Sequence, residues 1–248
     1  METIGLLPCA GLGLRMRPLR YPKELLPISF EPVWPGGPVR PRLSIEYSLE
    51  ALRLAGIAKC FAIVPEWKPE IMRYLGDGAE FNMDLAYLYN SRAAGLAEAV
   101  LSAKPWMQNK VTCLALPDTR FEPVTAFIPM LACLAANNAD LVLGIFPTDE
   151  ASHFAPVEMD GGGKITGIEE KPRIPKMNNT WGIAVWTDKF VEFFAKRYDE
   201  SSQGLSISNF FHEALISGLK VEGILFGSGK YADIGRIDAF PFVPVPKL

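Results

Sequence analysis

The stretch TIGLLPCAGLGLRMRPLRYPKELLP, residues 3–27, decides how the rest of the chain is read. Thr3 to Pro8 form a short, largely apolar run, which suits a strand covered on both faces. Gly11 and Gly13 follow at its carboxyl end, where glycines let the backbone turn tightly and aim N–H groups at an anion. Arg15, Arg17, Arg20 and Lys23 then place four cations within nine residues. Arginine forks match phosphate oxygens, and a lysine adds a compact charge. Two familiar phosphate loops are excluded. No G-x-x-x-x-G-K-[ST] string exists, and the G-x-G-x-x-G fingerprint fails at Met16.

The same grammar repeats outward from this loop. Strands are expected at 59–65, 85–90, 111–117 and 139–147, with helices at 43–55, 68–75, 92–107 and 123–137. Strand–helix–strand repetition implies parallel pairing through right-handed crossovers. After residue 150 the pattern changes. Residues 154–159 and 164–169 flank Gly161-Gly162-Gly163 as a hairpin, a strand is expected at 180–187, and helices near 188–198 and 206–217. Residues 219–226 and Tyr231-Ala232-Asp233 complete this smaller α+β portion, expected to pack on the first. Residues 31–42, rich in Pro and Gly, read as a loop, and the tail 241–248, with three prolines, as a surface segment. The expected organisation is a single domain over 1–248, with a nucleotide-binding half at 1–150 and a sugar-binding half at 151–248.

Composition narrows the function. At 49% hydrophobic and 21% charged over 248 residues, the chain is ordinary globular protein, long enough for a substantial core. A net charge of -3 argues against a nucleic-acid binder, which carries a basic face. No apolar run approaches the ~20 residues that span a bilayer, and Met1-Glu2 opens no signal peptide. A cytoplasmic location is the expectation. The four cysteines (9, 60, 113 and 133) show no metal-ligand or redox spacing and read as small buried hydrophobes. The only histidines, His153 and His212, lack the partners of a triad or zinc site and read as structural or surface residues.

Segment 8–28 resembles the signature of the sugar-1-phosphate nucleotidyltransferases, the pyrophosphorylases that make nucleotide sugars. Its loop is most similar to A-G-x-G-T-R-M of the UTP–glucose-1-phosphate uridylyltransferases, and the resemblance extends more broadly to glucose-1-phosphate thymidylyltransferases. It continues at intervals to about residue 240. Here Leu14 stands for the usual Thr or Ser, only three residues separate Pro18 from Pro22, and 31–42 is an insertion. The resemblance implies a Rossmann-like open mixed, mostly parallel sheet flanked by helices, with a smaller α+β sugar-binding portion.

It also implies roles. Arg15 and Lys23 would act on the triphosphate, cradled by Ala10, Gly11 and Gly13. Asn90, standing where pyrimidine-using relatives carry Gln, would read the base edge, with Gly95 admitting the base to the backbone. Asp118, after Leu116-Pro117 at a strand's carboxyl end, lies where open α/β sheets bind ligands. Asp233 matches the acid of W-x-D-x-G, with Tyr231 in place of Trp and Asp238 as a neighbouring competitor. Together the pair would hold Mg²⁺, which takes oxygen ligands. Glu170 and Lys171, in E-E-K-P, would bind the sugar and its phosphate, with Asn178 and Gly182 at the next sugar positions and Gln203 where relatives offer an Arg.

The implied activity is nucleotidyl transfer from an NTP, UTP or dTTP favoured, to a sugar 1-phosphate, releasing pyrophosphate. Two alternatives stay open: a cytidylyltransferase for a non-sugar phosphate, and a non-catalytic relative that only binds sugar nucleotide. Neither nucleic acid nor membrane is an expected partner; the resemblance leaves room for a homo-oligomer.

Overall fold

A computed structural model describes residues 1–16, 19–92 and 94–235. Arg17, Asp238 and the tail 241–248 lie outside them. The chain opens with β1 (Glu2–Pro8), followed by β2 (Pro27–Pro32), β3 (Val39–Leu43) and helix α1 (Ser44–Leu54). Next come β4 (Lys59–Val64), α2 (Pro69–Leu75) and β5 (Asp84–Tyr89). The helix expected over 92–107 is two: α3 (Leu96–Ser102) and α4 (Lys104–Met107). Pro105 cannot donate a hydrogen bond into the preceding turn, so it starts a helix rather than continuing one.

β6 (Lys110–Leu114), β7 (Thr119–Glu122), α5 (Phe127–Asn137) and β8 (Leu141–Pro147) follow. The hairpin β9 (Val157–Met159) and β10 (Ile165–Ile168) forms as expected. β11 (Asn179–Trp186), α6 (Asp188–Arg197), α7 (Ile207–Ile216), β12 (Val221–Leu225) and β13 (Lys230–Asp233) end the described chain.

The main sheet has seven strands in the order β12-β8-β11-β6-β1-β4-β5. Every neighbouring pair is parallel except β6–β11 and β11–β8, so β11 alone is reversed. This is the expected open mixed, mostly parallel sheet. Two placements differ from expectation: β11 and β12, both assigned to the smaller portion, belong to the main sheet, β12 at its edge and β11 inside it. The eight residues of β11 are all buried, as a central strand requires.

Alternate side chains of each strand point to opposite faces. Ile4 and Leu6 join one core with α3, α4, α6 and α7, while Leu7 joins a second with α1, α2 and α5. Two helical layers therefore cover one sheet, and the loops at the strands' carboxyl ends are left to form a site.

Segment 31–42 is not a loop. β2 and β3 pair antiparallel across it, and Gly37 N–H closes the turn on Trp34 O at 2.8 Å. A separate two-stranded ribbon tolerates Pro32 and Pro41 because no second neighbour needs their missing N–H. Alternation then sets Arg40 and Arg42 on one face, where they pair with Glu31, Glu46 and Glu50.

Candidate active site

A cleft of about 450 Å³ opens at the carboxyl ends of β1 and β6. On one side lie the glycine loop, from Ala10 through Gly11 and Gly13 to Arg15, and Lys23. Gly13 sits at φ 61 and Gly95, opposite, at φ 101, a region L side chains avoid. Gly95 and Leu96 continue the wall.

Two carboxylates and two cations meet at the cleft floor. Asp118 ends the segment after β6, and Asp233 ends β13. The ladder between β7 and β13 sets Asp233 opposite Thr119, and Ile234 N–H donates to Asp118 O at 2.8 Å. Residues 115 apart in sequence are thereby brought together. Lys23 Nζ donates to Asp118, and Arg15 donates to Asp233 at 3.2 Å. Gly235 marks the convergence. A β-carbon there would lie 2.8 Å from Asp233 Oδ1, 3.0 Å from Lys23 Nζ and 3.2 Å from Asp118 Oδ2.

The protonation states follow from this packing. Burial works against the charge on Lys23, but the Asp118 carboxylate bonded to it prevails and holds its pKa above the ordinary value. Burial also works against the Asp118 charge, and Lys23 in turn holds that carboxyl below its usual range. Asp233 moves the other way, raised by burial and then by the charge of Asp118. Two carboxylates that oppose each other's ionisation, both hard oxygen donors, suit a divalent cation such as Mg²⁺. Among the described residues no cluster of three or more His, Cys, Asp or Glu could hold a metal, so further ligands would come from substrate or water.

The opposite wall is softer. Glu170 and Lys171 line it, paired with each other at 3.2 Å. Lys171 N–H donates to Phe154 O at 2.7 Å, which fixes the E-K-P turn against the segment 153–155. Phe154 stacks edge-on against Tyr231, and Trp181 Nε1 donates to Ser208 Oγ at 2.9 Å. Burial, then the charge of Asp233, pushes the Tyr231 hydroxyl far up, so it remains a neutral phenol.

Asn90, Asn178, Gly182 and Gln203 lie off the cleft wall. Asn90 is buried beside the cleft, not on its wall. Its amide donates to Glu98 at 3.0 Å and Ser102 at 3.3 Å and accepts from Arg92 N–H at 2.8 Å, so it braces the loop before α3. Asn178 is exposed and outside the cleft, as is Gln203. Gly182 is buried under Tyr231, whose ring would lie 2.7 Å from a β-carbon there; its small size serves packing. His153 and His212, both read as structural or surface residues, differ: His153 is exposed on the cleft rim, and His212 accepts Ile168 N–H at 3.3 Å.

Several wall residues escaped sequence reading. Glu24, Thr180, Trp181, Ser206 and Ser208 line the cleft, though no role was assigned to any of them. Only Glu24 carried a signal, its place directly after Lys23. Beneath the loop, Lys68 Nζ donates to Glu24 Oε1 at 2.6 Å and to Cys9 O at 2.9 Å, a contact no spacing announced.

Comparison with known proteins bears on the family and the fold. A family model described as nucleotidyl transferase matches residues 9–243. The glucose-1-phosphate thymidylyltransferase of Streptomyces antibioticus is 28% identical over 238 residues, which are 94% of this chain and 62% of that protein. The chain thus spans less than two thirds of that relative. The enzyme of the same name from Neisseria meningitidis serogroup A is 30% identical over 212 residues, 83% of this chain and 68% of that protein. A crystal structure from Bacillus anthracis, assigned as a glucose-1-phosphate thymidylyltransferase with sucrose bound, superposes with a TM-score of 0.84. It covers 96% of this chain and 92% of that one at 21% identity, a likeness of fold.

Proposed function

The chain belongs to the nucleotidyl transferase family, and from that premise we propose that it transfers a nucleoside monophosphate from an NTP to a sugar 1-phosphate. The carrying observation is the convergence of Arg15, Lys23, Asp118 and Asp233 at one end of a cleft whose other end holds Glu170 and Lys171. That order matches a donor polyphosphate laid against an acceptor phosphate.

The glycine loop and Arg15 bind the β- and γ-phosphates, and Lys23 sits beside the α-phosphate. Lys171 holds the acceptor phosphate and Glu170 the sugar hydroxyls. An acceptor phosphate oxygen attacks the α-phosphorus, the bond to the bridging α–β oxygen breaks, and its electron pair leaves with pyrophosphate. The nucleophile is already an anion near neutral pH, so no general base is required. The protein's work is to align two anions and offset charge, which suits phosphoryl-type chemistry. Asp118 and Asp233 would hold Mg²⁺, which would supply positive charge to offset that of the phosphates.

The names of the relatives, glucose-1-phosphate thymidylyltransferases, favour dTTP as donor, and the likeness of the glycine loop keeps UTP beside it. Asn90 supports the base pocket from behind, and the base itself meets the Gly95–Leu96 wall. The test is pyrophosphate release with Mg²⁺ from ATP, GTP, CTP, UTP and dTTP against a panel of hexose 1-phosphates. Release with dTTP or UTP and one sugar is expected. Release with CTP alone, or none from folded protein, overturns the reading.

A further inference from the structure

The mechanism above leaves one buried charged pair unused. Lys68 is 6% exposed and Glu24 1%, and neither charge meets solvent. Lys68 follows β4 and stands just before α2, in a segment distant from both phosphate-facing loops. Its ammonium nevertheless reaches each of them. One hydrogen bond goes to Cys9 O, the first carbonyl of the glycine loop, and one to Glu24 Oε1, in the single helical turn Lys23–Leu25.

Among the described residues no backbone hydrogen bond joins the two loops: Cys9 N–H goes to Ile63 O, Met16 N–H to Gly13 O, and Leu25 N–H to Pro22 O. Lys68 therefore bridges segments that their own backbones do not join. It is not on the cleft wall, whereas Glu24 is. Glu24 Oε2 is buried without a partner, an arrangement that lowers stability. Burial pushes the Glu24 carboxyl up despite the Lys68 charge beside it. An apolar pair of similar volume would fill this space at equal or better stability. What it would not supply is a fixed distance between the loop that cradles the outer phosphates and the turn that carries Lys23.

We propose that the Lys68–Glu24 pair is a positioning device for the donor nucleotide's phosphates, locking the glycine loop and Lys23 in one mutual geometry through Cys9 O. The inference rests on reading the cleft as an NTP site. It predicts a selective effect: donor binding depends on the pair, and acceptor binding does not.

The test uses the full chain with three variants, Lys68→Met, the double Lys68→Met/Glu24→Leu, and Glu24→Gln. Binding of dTTP with Mg²⁺ is measured by calorimetry, stability by thermal unfolding, and KM for glucose 1-phosphate by pyrophosphate release. Lys68→Met alone strands a buried carboxylate and is expected to lower the unfolding temperature. The double variant removes both charges and is expected to recover most of it, yet to bind dTTP about tenfold more weakly, with acceptor KM unchanged. Glu24→Gln keeps an oxygen for Lys68 and the bond to Cys9 O, and is expected to hold dTTP affinity within about threefold of the wild type. The inference falls if a double variant of recovered stability binds dTTP as the wild type does. If the double variant stays unstable, Glu24→Gln decides: affinity lost there as in Lys68→Met means charge matters and position does not. A wild-type chain that binds neither dTTP nor UTP overturns the functional reading itself, a separate outcome.

Discussion

The two ends of the cleft use similar residue types under opposite constraints. At the proposed nucleotide end, the Lys23 side chain is 13% exposed and bonded to Asp118, whose backbone accepts from Ile234 just after the β7–β13 ladder. At the proposed acceptor end, Lys171 is 63% exposed and pairs with Glu170 across 3.2 Å. A buried pair is costly to break because it strands a charge, whereas an exposed pair contributes about 0–1 kcal/mol. The first arrangement is set before any ligand arrives. The second has charged side chains able to follow a ligand, mounted on the packed wall of Phe154, Trp181 and Tyr231.

Substitutions at both ends can break this contrast. Asp118→Ala should lower kcat/KM by roughly 10²-fold or more, the scale of losing one preorganised electrostatic contact. Steady-state kinetics on protein of native circular dichroism checks it, and an unchanged rate would remove Asp118 from the site. Gly182→Ala forces a β-carbon against the Tyr231 ring and should cost about 1–3 kcal/mol of stability, read by urea unfolding. No loss would mean the acceptor wall is looser than its packing indicates. Lys171→Ala should raise the acceptor KM about tenfold while kcat and unfolding temperature stay close to wild type. A fall in stability there would erase the distinction between the two lysines.

The smallest expected effect sharpens the nucleotide end. The folded pKa of Asp233 is raised, so between the unfolded value and the raised one the folded chain binds more protons than the unfolded chain. Its contribution to stability is therefore lost as pH rises through that window. Asp233→Asn carries no such charge and should unfold slightly higher than wild type at pH 7, with the difference shrinking toward pH 3.5. Thermal scans at the two values check the sign. Activity should fall even as stability rises, the usual trade at a functional site.

Much of this was legible in the sequence where the signal is local. The apolar run before Gly11, the cations after it and the acid after Leu116-Pro117 all sit within a few residues of a strand end. The meeting of Asp118 with Asp233 was expected only by resemblance, because β7 and β13 are four residues each, too short to show a period. Asn178 and Gly182 were placed by resemblance to the family's sugar positions. A register shift between Trp181 and Ile183 interrupts the β11–β8 ladder, and Gly182 falls beneath Tyr231. Lys68 was invisible because a lone lysine before a proline describes any exposed helix start. Segment 31–42 misled because its prolines outweighed the alternation of Arg40 and Arg42.

The reversed strand β11 has a consequence for how the chain reaches this state. It sits between β6 and β8, and its partner Leu114 lies seventy residues before Ala184. The edge of β6 therefore stays unpaired until residues 179–186 have left the ribosome and found it. Loop closure over such separations slows folding. Docking of β11 should accordingly be one of the slow steps of refolding, beside the longer closure of β1 on β6, and a chain cut short before it would leave the β6 edge open to pair with another chain.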